Sequence, residues 1–538
     1  MAAIDAPATQ STPVDQTLFV RKATGLIRGW SAYDGFIYGF YACNIIVGLL
    51  TLTYATFVPG ASLVWAIVIA VVFVLFEIFV YAALTSAIPR AGGDYVWQTR
   101  VFNGPVGFVL AATGWWFILW HWIPIYANIT VIGLVTPVLR ILGADGVATW
   151  LAGRDGAFLS SVVVIAVTTG FVALGMRGYA KIQRWTFYIG MVALALAALL
   201  LLFASRTDFI GAFNREAGSL YGVKDGYDAV LKAGGTSWNG PLSGSLGDTL
   251  KLVPFLLFWL LWPNWGATLA GEVRGARDLR KNIVAMTASL LLTAGTALIF
   301  IAAVSKTMGW DFFMAAGATY WSGEGPITDW LSPVVMASWL VDSPIVQVLI
   351  IVGAGMLILG WFGTVFLSST RMIFAAAFDR VLPESAAAVS RTGVPYVALA
   401  LMAIPSVAVS ALYAYWGSFA QYTLDSTVVI AVTFLGSALA GMVLPWRLER
   451  VYAGSPLARW KVGPVPVLTI ASGVFAAFLI ANLVLWLSDA VYGVNNTASL
   501  VYMGVLYALA IAVYAIAAMV RRRQGMGLEA VQREIPVE

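Results

Sequence analysis

The sequence has little of the chemistry on which soluble enzymes depend. A single cysteine, Cys43, excludes an internal disulfide and a multi-cysteine metal site. Charged residues make up 11% of the chain, against about a quarter of an ordinary soluble domain. The chain contains no phosphate-binding loop, zinc-ligand spacing or glycine-rich dinucleotide turn. We therefore expect no motor domain, no enzymatic activity, no cofactor and no bound metal.

Hydrophobic sequence is abundant instead, at 60% of the 538 residues. A soluble protein of this length could not bury so much apolar surface, so lipid must be the solvent for much of the chain. A membrane-spanning helix needs about 20 mostly apolar residues. This rule predicts twelve spans, at 33–57, 62–87, 105–134, 157–175, 183–204, 250–272, 283–305, 345–375, 395–416, 420–445, 465–487 and 499–520.

The distribution of basic residues predicts the orientation. If both termini are inside, most of the 31 lysine and arginine residues fall in inner segments, and every inner connection is basic. These residues occur in short runs between apolar stretches, so the net charge of +5 does not indicate nucleic-acid binding. The first 20 residues are polar and lack the basic start of a signal peptide. We expect a multi-pass protein of the cell membrane with both termini cytoplasmic.

Two predicted spans are interrupted. In the sixth, Pro263 removes a helical N–H, Asn264 adds a side chain that needs partners, and Gly266 permits unusual backbone geometry. The first span is interrupted around Tyr41, Ala42, Cys43 and Asn44. Irregular backbone at membrane depth persists only where protein or a water-filled cavity satisfies it. Interruptions at matching places in two halves of a chain indicate the substrate site of a secondary transporter, whereas a kinked packing helix is the alternative.

Three blocks resemble the amino acid–polyamine–organocation transporter superfamily. Residues 86–116 read SAIPRAGGDYVWQTRVFNGPVGFVLAATGWW, similar to its second and third helices. Residues 270–283, AGEVRGARDLRKNI, resemble the motif after its sixth helix, and 363–399 resemble its eighth and ninth helices. The resemblance implies an all-α membrane protein with a LeuT-like fold. That fold has two inverted five-helix repeats with discontinuous helices 1 and 6, followed by two further helices. It also implies alternating access, with substrate bound between helices 1, 3, 6, 8 and 10.

The chain departs from this family in three places. Bulkier residues, 41–47, stand where the first helix usually has a Gly-Ser-Gly-like break. Trp262, Pro263 and Asn264 stand where the sixth helix often has a glutamate. The fifth span has no lysine, which in some members replaces a sodium ion. Neither a gating glutamate nor lysine-based coupling is therefore carried over.

The implied organisation has six parts. They are an N-terminal cytoplasmic tail (1–28), the first repeat with helices 1–5 (29–204), an extracellular loop (205–249), the second repeat with helices 6–10 (250–445), helices 11–12 (446–520) and a C-terminal cytoplasmic tail (521–538). A second long outer segment, at about 306–344, is expected to carry short interfacial helices, as is the loop 205–249.

Ionisable side chains within a bilayer are costly, so each carries a functional hypothesis. Glu77, in span 2, is either a proton-coupling carboxylate or a neutral acid bonded to a neighbouring helix. His121, in span 3, is either a pH sensor or a structural histidine. Asp425 either binds a cationic substrate group or a proton, or caps span 10. Asp34 is a cap or inner-gate residue at the start of span 1.

Hydroxyl and indole groups complete the candidates. Ser368 and Ser369 on span 8 are candidate ligands of a sodium ion, although such hydroxyls more often bond their own backbone. Tryptophan faces attract ammonium groups, with packing as the alternative for each ring. The predicted substrate site comprises Tyr41, Ala42, Cys43, Asn44, Trp116, Trp120, His121, Trp259, Trp262, Pro263, Asn264, Trp361 and Asp425. The coupling and gating candidates are Asp34, Glu77, His121, Ser368 and Ser369.

These features predict a secondary active transporter that moves an amino acid, amine or polyamine across a lipid bilayer by alternating access. Because the resemblance favours it, we expect coupling to protons rather than to sodium. Two alternatives remain open at this stage: a passive channel or facilitator, and a substrate-sensing receptor on a transporter scaffold.

Overall fold

The computed structural model describes residue 26 and residues 28–235, 237–327 and 329–535. Most of the predicted N-terminal tail, 1–28, therefore lies outside the described residues. Within the described ranges, twelve helical segments are long and apolar enough to cross a membrane, which confirms the predicted number. Their bounds are Ala32–Phe57, Leu63–Ala87, Gly104–Ile141, Arg154–Ala173, Gly175–Phe203, Leu246–Glu272, Leu279–Ser322, Pro344–Phe378, Tyr396–Tyr415, Phe419–Arg447, Val467–Ser488 and Thr497–Arg523, numbered here as spans 1 to 12.

Span 1 is broken at Asn44. Its two α-helices, Ala32–Cys43 and Ile45–Thr51, are followed by a 3-10 segment, Leu52–Phe57. Asn44 has φ 43° and ψ 72°, a left-handed conformation that asparagine tolerates better than most residues. Its backbone N–H donates to the Tyr41 carbonyl, and its side-chain oxygen accepts the Val47 N–H. One residue thus ends the first helix and caps the second.

Span 6 is broken two residues before Asn264. An α-helix, Leu246–Leu260, ends there, and a 3-10 segment, Pro263–Glu272, continues the span after a short non-helical link. Pro263 opens the second segment, a position where a missing N–H costs nothing. The structure therefore has the predicted interruptions in both spans, while the inverted-repeat relationship remains a prediction.

Several other spans contain local changes of helix type or are followed by short helices. Span 3 consists of Gly104–Ala112, Ile118–Thr130 and Thr136–Ile141, joined by π-helical turns Thr113–Phe117 and Val131–Val135. Span 7 consists of Leu279–Val304, the π-turn Ser305–Gly309 and Trp310–Ser322. Span 10 has a 3-10 turn, Phe419–Tyr422, before Thr423–Arg447. The shorter connecting elements are the helices Asp94–Val101, Asp145–Ala152, Arg206–Tyr221, Gly226–Gly234, Pro333–Ser338, Glu384–Ala387, Glu449–Ala453, Pro456–Arg459, Ala490–Tyr492 and Leu528–Arg533, and the antiparallel strands Lys461–Val462 and Val465–Pro466.

Burial places spans 1 and 6 at the centre. In their most apolar stretches, 89% and 94% of the residues are buried within the protein, against 22% for span 12 and 33% for spans 4 and 9. The exposed faces of the outer spans carry large apolar side chains such as Val192, Ile404 and Val505, which suit contact with lipid. The two broken helices are thus surrounded by the other spans.

The predicted C-terminal tail is partly structured. Span 12 extends to Arg523, and the helix Leu528–Arg533 packs its buried Leu528 and Val531 onto the protein. The guanidinium of Arg100 donates to the Glu534 carbonyl at 3.1 and 3.0 Å. The predicted cytoplasmic side, to which this C-terminal segment belongs, is the inner side of the protein.

Candidate substrate site and inner gate

The breaks in spans 1 and 6 adjoin each other. The Cys43 thiol, one residue before the break in span 1, lies against the Trp262 backbone and the Thr293 hydroxyl. A Cβ atom added at Gly39 would lie 3.1 Å from the Pro263 carbonyl oxygen, so a larger residue at 39 would crowd the second break. The two interrupted segments therefore share one region at the centre of the protein.

Several polar atoms around this region have no hydrogen-bond partner among the described residues. They include the buried side-chain amide nitrogens of Asn44 and Asn264 and the Asn264 amide oxygen. Four buried indole nitrogens likewise have no partner in the described part of the chain: those of Trp122, Trp259, Trp265 and Trp361. Most buried polar groups in native proteins are bonded, and each unmade bond costs about 1–3 kcal/mol. Donors outnumber acceptors here, so the arrangement suits a ligand rich in acceptor oxygens.

Aromatic rings form a continuous wall beside the broken span 6. The Trp122 ring centroid lies 5.0 Å from that of Trp262, 5.6 Å from that of Trp265 and 5.7 Å from that of Trp361. Tyr126 stacks on Trp361 with ring centroids 3.7 Å apart. These five residues, which we call the aromatic wall, are all fully buried. Trp262 and Trp361 were among the predicted site residues, whereas Trp122, Trp265 and Tyr126 were not.

The other predicted tryptophans lie outside the aromatic wall. The Trp116 indole N–H donates to the Leu401 carbonyl of span 9 at 3.2 Å, and the Trp120 ring packs against Trp116 at 5.8 Å. Both residues thus lie on the side of span 3 that meets span 9. Trp259 lies against Gly48 of span 1, where an added Cβ would come within 2.8 Å of the indole ring. It therefore packs beside the second half of the broken first span.

The periodicity of aromatic residues in span 3 indicates two of the aromatic-wall residues that were not predicted, Trp122 and Tyr126. Trp115, Trp122 and Tyr126 are spaced at seven and four residues, so they share one face of a helix. Trp116 and Trp120 share a neighbouring face, and sequence periodicity alone does not say which of the two points toward spans 1 and 6.

Tyr41 and Ala42 lie on the inner side of the first break. The Tyr41 hydroxyl donates to the Gln183 carbonyl at 2.9 Å and lies 2.6 Å from the Thr186 hydroxyl, both on span 5. Its ring fills the space beside Gly360 of span 8, where an added Cβ would clash at 2.3 Å. Ala42 is fully buried. Tyr41 thus joins span 1 to spans 5 and 8.

His121 and Asp425 lie near the last span. The His121 Nδ1 is 2.9 Å from the Tyr502 hydroxyl, and its ring contacts Tyr413, Phe419 and Tyr502 of spans 9, 10 and 12. Asp425 is fully buried and lies beside the Ser499 and Tyr502 side chains of span 12. The rings that His121 contacts are therefore distinct from the aromatic wall.

The inner ends of spans 1, 5, 6 and 8 are joined by two ion pairs. Arg184 donates from two nitrogens to the Asp34 carboxylate at 2.8 and 2.9 Å, and Asp34 also closes a capping box with Ser31. Arg371 donates to the Glu272 carboxylate at 2.6 and 2.8 Å, and both side chains are buried. We call these four charged residues the inner gate.

The backbone adds to the inner gate. The Trp30 N–H donates to the Glu272 carbonyl at 3.2 Å, and the Arg274 N–H donates to the Trp30 carbonyl at 2.9 Å. These bonds pair the segment before span 1 with the segment after span 6 as a short parallel bridge. The inner ends of the central spans are therefore joined by both charge pairs and backbone hydrogen bonds.

The hydroxyl groups of span 8 already have partners. Ser368 accepts a hydrogen bond from the Thr268 hydroxyl at 3.0 Å and lies 2.7 Å from the Tyr38 hydroxyl. Ser369 donates to the Val365 carbonyl one turn earlier at 2.8 Å. The bonding of Ser369 to its own helix is the arrangement usual for such residues. Ser368 instead links span 8 to the inner halves of spans 1 and 6.

Glu77 is fully buried in span 2, and neither of its carboxyl oxygens has a hydrogen-bond partner within the described ranges. It acts electrostatically on Cys43, so it lies close to the broken part of span 1 and is not a member of the aromatic wall. This places a carboxyl group next to the candidate substrate site, with no hydrogen bond to the aromatic wall in the described residues.

The twelve apolar spans define a multi-pass membrane protein. The family model of amino acid permeases matches residues 35–511, and the chain therefore belongs to that family. This match confirms the resemblance to the wider transporter superfamily and identifies a membrane permease of the amino acid transport class. A comparison with curated individual proteins found no match.

Proposed function

We propose that the protein transports an amino acid by alternating access, and that the unpartnered donors around the two helix breaks bind the substrate carboxylate. The observation that carries the proposal is the set of buried, unbonded N–H groups on Asn44, Asn264 and the adjacent indoles. A carboxylate has two oxygens that accept several hydrogen bonds, and bonds to a charged acceptor contribute about 1.5–3 kcal/mol each. Such a ligand would satisfy groups that the protein alone leaves unbonded.

The surroundings favour a zwitterion with an uncharged side chain over a polyamine. No member of the aromatic wall carries a charge, and the Asn264 amide oxygen is the unpartnered acceptor beside it. An α-ammonium group can bond to this oxygen and contact an indole face. A second cationic group would need a carboxylate to offset its desolvation. Asp425, the candidate for that role, lies close to Tyr502 of span 12 instead.

The contacts of the inner gate support alternating access over a passive channel. A channel needs a continuous aqueous path, whereas here two ion pairs and paired backbone join the inner ends of the central spans. Such contacts have to break for substrate to leave on the inner side. A cycle in which they break only with substrate bound is a transport cycle.

The contacts of Ser368 favour a proton over sodium as the coupling ion. A sodium site on span 8 would need hydroxyl oxygens that are free to coordinate the ion. The Ser368 oxygen already accepts a hydrogen bond from Thr268 and lies 2.7 Å from the Tyr38 hydroxyl. Protonation of a buried carboxyl group requires no such ligand set.

A ligand-stabilisation screen tests the proposal. Purified protein is heated with individual amino acids, polyamines and small amines, with and without sodium, because a ligand of the folded state raises the melting temperature. We expect stabilisation by amino acids with uncharged side chains and no dependence on sodium. Stabilisation by polyamines alone, or by no compound when the protein is folded, would refute the substrate assignment.

The variant Asn264→Leu tests the site. It removes a donor and an acceptor at similar size, and loss of a bond to a charged ligand should weaken binding about 10- to 100-fold. Asn482→Leu is the matched control, since Asn482 is a buried amide of span 11 that donates to the Phe478 carbonyl. Equal affinities of wild type and Asn264→Leu in the screen would disprove this position of the carboxylate.

A further inference from the structure

Two carboxyl groups are buried together behind the candidate substrate site. Glu77 lies in span 2, and Asp94 begins the helix Asp94–Val101 between spans 2 and 3; both are fully buried. The Asp94 carboxyl group acts electrostatically on Glu77, which shows that the two are close. Burying two carboxylates without cations would be very costly, so their protonation decides whether this arrangement is stable.

Tyr81 connects the pair. It follows Glu77 by one helical turn, and its hydroxyl donates to Asp94 Oδ1 at 2.6 Å. The Ser437 hydroxyl donates to the same oxygen at 2.6 Å, and the Trp115 indole N–H donates to Oδ2 at 2.9 Å. These bonds suit an ionised Asp94, whereas Glu77 accepts no hydrogen bond from the described residues and suits the neutral acid. The contacts thus fit a pair that holds one proton and one negative charge.

The charge of the pair is not neutralised by a basic residue. In the described portion of the chain, no lysine or arginine forms an ion pair with either carboxyl group. The ionisable side chains of Cys43 in span 1 and Tyr81 in span 2 lie within electrostatic range of the pair. Trp115 and Ser437, from spans 3 and 10, are uncharged. Spans 6, 7 and 11 also pack on span 2, and their described residues form neither ion pairs nor hydrogen bonds with Glu77 or Asp94.

Asp94 is connected to the inner half of span 6 and to the aromatic wall. The Gly92 N–H, two residues earlier, donates to the Thr268 carbonyl in the inner half of span 6 at 2.9 Å. Trp115, held by Asp94, packs edge-on against Trp265 of the aromatic wall at 5.1 Å. A change in the charge of Asp94 therefore changes contacts with spans 2, 3 and 10 next to both the substrate site and the inner half of span 6.

We propose that Glu77 and Asp94, connected by Tyr81, form the proton-binding site that couples proton movement to amino acid transport. This inference rests on the proposed transport function. A proton from water binds the Asp94 carboxylate and makes the pair neutral, and the three donors then lose their charged acceptor. Release of that proton restores the negative charge and the three bonds.

Asp94 has a suitable affinity for this role. It lies outside the spanning segments, and burial raises its pKa to about 6 although the hydrogen bonds from Ser437, Tyr81 and Trp115 oppose the rise. A group with this pKa binds and releases a proton near neutral pH. The pKa of Asp94 therefore supports the proposed proton-binding site, which rests on the geometry of the two carboxyl groups.

Infrared difference spectroscopy of the full chain in lipid nanodiscs tests proton binding without a substrate. Between about pH 8 and about pH 5, the wild type should gain a neutral carboxylic-acid band that Asp94→Asn lacks. A second such band should be present already at about pH 8 and absent from Glu77→Gln. Tyr81→Phe removes one donor to the carboxylate and should raise the midpoint of the Asp94 band by about one pH unit. Spectra in which these variants match the wild type would overturn the assignment.

Transport in proteoliposomes tests coupling. The probe is a radiolabelled mixture of the common amino acids, and the readout is the ratio of uptake driven by an inward proton gradient to counterflow without a gradient. Glu77→Gln and Asp94→Asn should lower this ratio at least about tenfold, because their amides bind no proton in this range. The exposed Glu324→Gln is the matched control and should keep the wild-type ratio. A wild-type ratio in Glu77→Gln and Asp94→Asn would refute coupling through this pair.

The infrared and transport tests distinguish failure of the proton-binding proposal from failure of the proposed function. Failure of the wild type to take up the amino acid mixture would refute the proposed function, while the infrared bands still decide whether the pair binds a proton. If Glu77→Gln or Asp94→Asn fails to fold, the variant Tyr81→Phe can still be used, because it keeps both carboxyl groups. The midpoint of its Asp94 infrared band then confirms or refutes the connection through Tyr81. An unshifted midpoint in Tyr81→Phe would overturn the role of Tyr81.

Discussion

The buried ion pair of the inner gate allows a quantitative test of alternating access. Arg371 and Glu272 form two hydrogen bonds at 2.6 and 2.8 Å and have almost no exposed surface. The change Glu272→Gln keeps the size of the side chain but leaves the Arg371 charge without a counterion. The penalty applies only while Arg371 is buried, because water would hydrate the guanidinium once the gate opens.

The size of the expected shift follows from the difference in Arg371 hydration between the closed and the open gate. Removing one partner of a buried pair costs about 3–5 kcal/mol. If about 3 kcal/mol of this penalty is relieved on opening, the ratio of open to closed gate rises about 100-fold, at 1.4 kcal/mol per factor of ten. The shift is toward the inward-open state, since Glu272 and Arg371 join the inner parts of spans 6 and 8.

An accessibility assay measures this ratio. Ser368→Cys, introduced together with Cys43→Ala, places one thiol where Tyr38, Thr268 and span 8 meet. When opening is fast relative to labelling, the rate of thiol modification follows the open population. Adding Glu272→Gln should therefore increase the rate about 100-fold.

Two controls define the result that refutes the reasoning. Asp278→Asn weakens an exposed pair with Lys281 on the same side, and exposed pairs contribute at most about 1 kcal/mol, so the rate should rise less than about tenfold. Glu272→Leu combined with Arg371→Met removes both charges and should bring the rate back toward the reference. An unchanged labelling rate in folded Glu272→Gln protein would show that the pair does not hold the gate closed.

Two further predictions concern the periphery. His121→Gln should lower the melting temperature, because it alters the contact with the Tyr502 hydroxyl. It should leave the affinity for amino acids in the stabilisation screen unchanged. A weakened affinity would return His121 to the substrate site. Deleting residues 524–538 removes the Glu534 carbonyl that accepts from Arg100 and the Gln532 amide that accepts from Tyr514. Loss of these bonds should cost about 1–3 kcal/mol and lower the melting temperature of the detergent-solubilised protein, and an unchanged melting temperature would show that the segment adds no stability.

The spans and their breaks could be predicted because they depend on local sequence. Hydropathy over about 20 residues determines whether a helix can cross a bilayer. Pro263 cannot continue a helix as an ordinary residue, and Asn44 is one of the few residue types that accept a left-handed backbone. Both properties belong to the residues themselves, so a single sequence contains them.

The side of each helix that faces the site depends on distant residues and could not be predicted. Trp116 and Trp122 both lie on span 3, yet one meets span 9 and the other meets spans 6 and 8. The π-helical turn Thr113–Phe117 adds to the difficulty, since it changes the rotation of the helix between these faces. The Arg184–Asp34 pair joins residues that are 150 positions apart.

Asp94 was also missed for a physical reason. It follows two glycines in a polar connection, where an acidic residue at a helix start is ordinarily a solvated cap. Its burial results from packing of the connection against spans 2, 3 and 10, which provide Tyr81, Trp115 and Ser437. Only the three-dimensional arrangement shows that this carboxyl group has been removed from water.

Thr268 connects the backbone beside the proposed proton-binding pair with span 8. Its carbonyl accepts the Gly92 N–H beside Asp94, and its hydroxyl donates to Ser368 of span 8. Four residues later in the same segment, Glu272 binds Arg371. The inner half of span 6 is thus attached on one side to the carboxyl pair and on the other to the gate. By reciprocity, if protonation of Asp94 makes the gate easier to open, opening the gate must strengthen proton binding by the same free energy. A transporter with this connection can use a proton gradient without placing the proton in contact with the amino acid.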